Sequence, residues 1–154
     1  MTGDSARGPG PAPAVRIARV FTAPREVVFN AWIDPDQVAA WWAPEGCEVP
    51  RETVDIDARA GGRIHFSIVH PARVASVPVR FEILEIAVPE LLVFASEAMP
   101  EVGLLAMVTR VEFEDAAGGT RVTVTQGPHT DETQTEAQAG WLAALEKLER
   151  LLGS

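Results

Sequence analysis

Apolar residues recur along this chain with two different periods, and the period changes near the end. Trp141, Leu145, Leu148 and Leu152 lie at i, i+4, i+7 and i+11, with Ala137 a turn earlier and Leu142 and Leu151 widening the stripe. This spacing predicts one long amphipathic helix over residues 130–152. Before it, apolar and polar positions alternate. Ile64, Phe66 and Ile68 share one strand face, and Thr109, Val111 and Phe113 match Val122 and Val124 as inward positions across the Gly118-Gly119 turn. Strands are predicted at 15–21, 49–57, 63–69, 79–86, 91–96, 104–113 and 121–125, with Gly61-Gly62 marking another turn. Two short helices interrupt them after the first strand. Thr22 is placed to cap the first, with Pro24 in its opening turn and Val27, Val28, Ala31 and Trp32 as its apolar face. Asp34-Pro35 opens the second, whose apolar side is Val38, Trp41 and Trp42, and Pro44 and Gly46 end it.

The long helix must bury its stripe, and the sheet is the only large apolar surface available to it. The fold class predicted is α+β: a curved antiparallel sheet of about seven strands wrapped around a long C-terminal helix. A hollow between helix and sheet suits an apolar small molecule.

Charge and composition narrow the partners. The 154 residues carry a net charge of −9, which repels phosphate backbones and anionic lipid, so neither nucleic acid nor membrane is an expected partner. No apolar run approaches the roughly 20 residues of a bilayer span. Residues 1–14, rich in Gly, Pro and Ala, contain no apolar core of a secretory signal and are expected to be a disordered tail before one domain at 15–153. The single cysteine, Cys47, permits no intrachain disulfide. A cytoplasmic location is the expectation.

Candidate chemistry is sparse. His65, His70 and His129 match no metal-ligand spacing, and neither metal nor cofactor is expected. Ser67, Ser76 and Ser96 lie in no nucleophile elbow, and Cys47 has no adjacent histidine. Asp55 and Asp57, like Glu112 and Glu114, alternate with apolar residues and read as solvated outer faces. Glu85 shares parity with Phe81 and Ile83, which would aim a carboxylate into the hollow unless a bulge turns it outward. The aromatic and apolar positions assigned to the ligand are Trp41, Trp42, Phe66, Phe81, Ile83, Met107, Val111, Trp141 and Leu145. Met99 and Met107 would let the cavity adapt its shape.

The segments VRIARVFTAPREVVFNAWIDPDQVAAWWAP, DIDARAGGRIHF, ILEIAVPELLVF, VEFEDAAGGTRVTVTQ and GWLAALEKLERLL resemble the domain shared by activator-of-Hsp90-ATPase homologues, within the START-like, Bet v 1-like helix-grip superfamily. Trp41-Trp42-Ala43-Pro44, Gly61-Gly62 and Gly140-Trp141 carry the resemblance, which spans residues 15–152. It implies sequestration, carriage or self-resistance toward a hydrophobic, aromatic or polyketide-like molecule. It also implies an alternative, a polyketide aromatase/cyclase whose candidate catalytic residues would be Glu85, His65 and Arg63. A Hsp90 co-chaperone-like interaction role ranks third, because the outer sheet face carries Arg80, Glu82, Arg110, Glu112, Arg121, Thr123 and Thr125 rather than an apolar patch.

Overall fold

The structure, a computed structural model, describes residues 14–43, 46–72, 76–97 and 106–152. Residues 1–13, Pro44, Met99 and the first residues of the strand expected at 104–113 lie outside this description. Seven strands form one antiparallel sheet: β1 (Val15–Phe21), β2 (Asp55–Asp57), β3 (Arg63–Ile68), β4 (Val77–Ala87), β5 (Leu91–Ser96), β6 (Met107–Ala116) and β7 (Gly119–Gly127). Their spatial order is β1-β7-β6-β5-β4-β3-β2, so the first strand returns beside the last and every other neighbour is a sequence neighbour. The helices are α1 (Arg25–Asn30), α2 (Pro35–Trp41) and α3 (Asp131–Leu152).

The alternation sets the inner face as expected. Val111 faces Val124 and Phe113 faces Val122 across β6 and β7, and all four are buried. On α3 the stripe buries Trp141, Ala144, Leu145 and Leu148, while Leu142 and Leu151 stay exposed at its edges. Thr130 caps this helix reciprocally: the Thr133 N–H donates to Thr130 Oγ1 at 3.1 Å, and the Thr130 N–H donates to Thr133 Oγ1 at 2.8 Å.

Three local expectations are corrected. The strand expected at 49–57 forms only over its last residues, because Pro50 opens a single 3₁₀ turn, Arg51–Thr53, whose Thr53 N–H and hydroxyl both return to the Pro50 carbonyl. Thr22 does not cap α1; Pro24 occupies the cap position and no side chain bonds there. Thr22 instead lies under the β6–β7 hairpin, where Gly119 approaches so closely that a Cβ would sit 1.8 Å from the Phe21 carbonyl oxygen. Finally, Val27 is exposed and Phe29 takes its place in the core.

Candidate functional site

One half of the space under α3 is solid and the other is hollow. Around the C-terminal half of the helix, Leu145 and Leu148 join Phe29, Trp32, Trp41 and Phe113 in a continuous core. Around its N-terminal half lies a cavity of about 660 Å³ between α3 and strands β3 to β7. That volume falls within the range of ordinary small-molecule sites.

Tryptophans form the partition in two layers. Trp42 and Trp141 face the cavity, with ring centroids 6.1 Å apart. Behind them Trp41 stacks on Trp42 at 4.9 Å and Trp32 stacks on Trp141 at 5.8 Å, both pairs within 22° of parallel. The rear pair is fully buried. Trp41 is held further by its Nε1–H, which donates to the Ala31 carbonyl at 2.8 Å, whereas Trp32 Nε1 has no acceptor among the described residues and is retained by ring packing. Lys147 Nζ donates to the Ala43 carbonyl at 2.8 Å, tying α3 to the segment that carries Trp42. Phe66 and Phe81 continue the aromatic lining, 5.5 and 5.9 Å from Trp42.

Of the residues assigned to the ligand from sequence, Trp42, Phe66, Phe81, Met107 and Trp141 line this cavity. Trp41, Ile83, Val111 and Leu145 do not; they are fully buried in the core. Inward parity selects the face of a strand but not the depth at which a residue lies behind its neighbours, so these four are core rather than lining.

The three catalytic candidates point elsewhere. The register of β4 against β5 shifts between Ile83 and Glu85, and this bulge turns Glu85 outward, 58% exposed, with Arg110 at 3.9 Å. Arg63 is also on the outer side, where its guanidinium donates to both Asp55 oxygens, at 2.7 and 3.2 Å. That hydrogen bonding holds the Asp55 carboxyl below its usual range and raises the Arg63 guanidinium. His65 lies opposite Asp55 and Arg80 in register, between the inward residues Ile64 and Phe66. None of the three lines the cavity.

The polar groups that do line it were missed. Gln126, His129 and Thr133 form its floor at the start of α3. His129 is 4% exposed, and burial pushes its imidazole pKa down from the ordinary value. Its Nε2 is 3.1 Å from Gln126 Oε1 and its Nδ1 is 3.2 Å from Thr133 Oγ1. A signal for this floor was present, since Gln126 continues the inward parity of Val122 and Val124 on β7. Glu97, Glu136 and Arg80 add charge to the cavity lining. Among the described residues no cluster of His, Cys, Asp and Glu could hold a metal ion, and no helix is long and apolar enough to cross a membrane.

A sheet gripping a terminal helix around an aromatic cavity defines a helix-grip protein of the START-like class. The family model of Activator of Hsp90 ATPase homolog 1-like protein matches residues 22–153, and the chain belongs to that family. A crystal structure of a Chromobacterium violaceum protein is similar at 26% identity and TM-score 0.79, covering 92% of this chain and 97% of that one. The AHSA1-like protein of Aeromonas hydrophila is similar at 24% identity and TM-score 0.76, with 90% of each chain covered. A Staphylococcus epidermidis protein, also at 24% identity and TM-score 0.76, covers 94% of this chain and 92% of that one. No curated protein matches the sequence.

Proposed function

We propose that this protein binds a hydrophobic, flat aromatic molecule, polyketide-like in shape, in the cavity between α3 and the sheet, and sequesters or carries it. The observation that carries the reading is the aromatic cavity itself: Trp42, Trp141, Phe66 and Phe81 surround a space of about 660 Å³ that their neighbours leave open. A fused-ring ligand would pack against the cavity-facing edges and faces of these rings, and the rear layer of Trp32 and Trp41 holds them in place. Binding is favoured over turnover, because Glu85, Arg63 and His65 lie on the far side of the sheet and His129 has both ring nitrogens engaged. The chaperone-directed reading gains no support from the outer face, where Arg110 pairs with Glu85 and Glu112.

Titration with fused-ring hydrocarbons, flavonoids and fatty acids, followed by tryptophan fluorescence and amide chemical shifts, tests the proposal. Shifts confined to Trp42, Phe66, Phe81, Met107 and Trp141 are expected with the aromatic compounds. A folded protein in which no compound moves those residues would refute it.

A further inference from the structure

The floor of the cavity specifies more than an apolar guest. Its hydrogen bonds run in one determined direction. Trp141 Nε1–H can only donate, so the Gln126 atom 3.2 Å away is the carbonyl oxygen Oε1. That fixes the amide, and Nε2 then donates to Thr109 Oγ1 at 2.8 Å. His129 Nε2, 3.1 Å from the same Oε1, must carry its proton, which leaves Nδ1 to accept from the Thr133 hydroxyl. Both lone pairs of Oε1 are therefore taken, by Trp141 and His129, and both nitrogens of His129 are taken too. The amide nitrogen has two N–H groups and Thr109 accepts from one. Among the described residues nothing accepts from the second N–H of Gln126, a residue that lines the cavity, and this N–H is the open valence of the circuit.

Resting on the binding reading above, we infer that the cavity selects aromatic molecules that present a neutral acceptor oxygen, an aryl ketone or quinone carbonyl, to the free N–H of Gln126. An amide donor held by three neighbours loses little freedom when it bonds a ligand, and a ring system filling the cavity would displace water that competes for it. Among the described residues, Glu97 and Glu136 line the same cavity against a single cation, Arg80, so a carboxylate in place of the carbonyl meets a lining whose charges sum to negative.

The test uses 9-fluorenone, fluorene and fluorene-9-carboxylate, which share one ring system. Water solvates the ketone better than the hydrocarbon, so simple partition into an apolar cavity favours fluorene. The inference requires the reverse: fluorenone binding at least about tenfold tighter than fluorene or the carboxylate, with the Gln126 side-chain amide resonances moving for the ketone and not for fluorene. Gln126→Glu keeps acceptor oxygens for Trp141 and His129 but removes the N–H, and it is expected to abolish the preference. Should that variant fail to fold, the wild-type ligand ratio and the Gln126 resonances still decide. Equal binding of ketone and hydrocarbon, or tighter binding of the carboxylate, overturns this inference and leaves the cavity reading standing. If none of the three binds the folded protein, the cavity reading itself falls.

Discussion

Trp141 donates its indole N–H to Gln126 Oε1 at 3.2 Å, joining the gripping helix to the inner face of β7 at the floor of the cavity. The bond does two things at once: it satisfies a largely buried indole nitrogen and it sets which way the Gln126 amide points. Trp141→Phe keeps an aromatic ring against Trp32 but removes the donor. The expected loss is about 1–2 kcal/mol in urea unfolding, since Gln126 Oε1 keeps His129 as a partner. Ligand preference should also loosen, because without a donor-only partner the amide can turn over together with a shift of the His129 proton from Nε2 to Nδ1.

The two tryptophan layers should separate stability from binding. Trp41 is fully buried and hydrogen-bonded to Ala31, so Trp41→Ala is expected to cost roughly 3–5 kcal/mol. Trp42 faces the cavity, and Trp42→Leu should keep the fold while weakening aromatic ligands by about tenfold, near the upper range of one aromatic pair. Parallel unfolding curves and ligand titrations on the two variants check this. A Trp42→Leu protein that binds fused rings as well as wild type would remove that residue from the site.

How much of this was legible in the sequence depends on what kind of information each feature needs. The periods of Ile64, Phe66 and Ile68 and of Trp141, Leu145 and Leu148 fix faces, and those faces are the observed ones. Depth is a different quantity. Val111 and Leu145 share their faces with true lining residues, yet lie behind other side chains in three dimensions. Glu85 shows a second limit, because a one-residue bulge inverts parity without altering composition. Gln126 and His129 were readable in principle, as a polar residue at an inward position and a histidine beside a helix cap. Only their mutual distances reveal that they act together.

His129 predicts a pH dependence with a definite sign. Burial favours the neutral imidazole, so the folded pKa lies below the ordinary value of 6.5. Between the two values the unfolded chain binds the extra proton and the folded chain does not. Stability from this residue is therefore complete above about 6.5 and is lost as pH falls through the folded value. Glu97 and Glu136 in the same cavity would favour a cation, and Arg80 would oppose it, but burial is the dominant cause at His129. Thermal denaturation between pH 7 and pH 5 should show the decline, and His129→Gln should flatten it. A wild-type curve no steeper than that of the variant would contradict the assignment.

The β6–β7 hairpin supplies a prediction about the frame rather than the site. Gly119 has φ +156°, and an added Cβ would meet the Phe21 carbonyl oxygen at 1.8 Å and the Thr22 Cα at 3.0 Å. Both obstacles are backbone, so relief requires β1 to move off β7 rather than a side chain to turn. Gly119→Ala is expected to cost roughly 2–4 kcal/mol. Gly118→Ala, with a positive φ of +84° but nothing within 4 Å of its Cβ, should cost only about 1 kcal/mol. Chemical denaturation of the two neighbours measures the difference directly.

The outer face of the sheet gives the sharpest contrast with the cavity. Glu85, Arg63 and His65 are separated from the hollow by the thickness of the sheet, and their partners Arg110 and Asp55 are themselves exposed. Exposed ion pairs of this kind contribute little to stability. Glu85→Gln, Arg63→Gln and His65→Gln should each change unfolding free energy by no more than about 0.5 kcal/mol and leave ligand affinity within twofold. The comparison is most informative beside Gln126→Glu, which alters one atom of a side chain on the inner face. If Glu85→Gln weakens binding as much as Gln126→Glu does, the ligand reaches the outer surface and the cavity is not where it sits. If only the inner substitution matters, recognition is confined to the space that Trp42, Trp141 and Gln126 enclose.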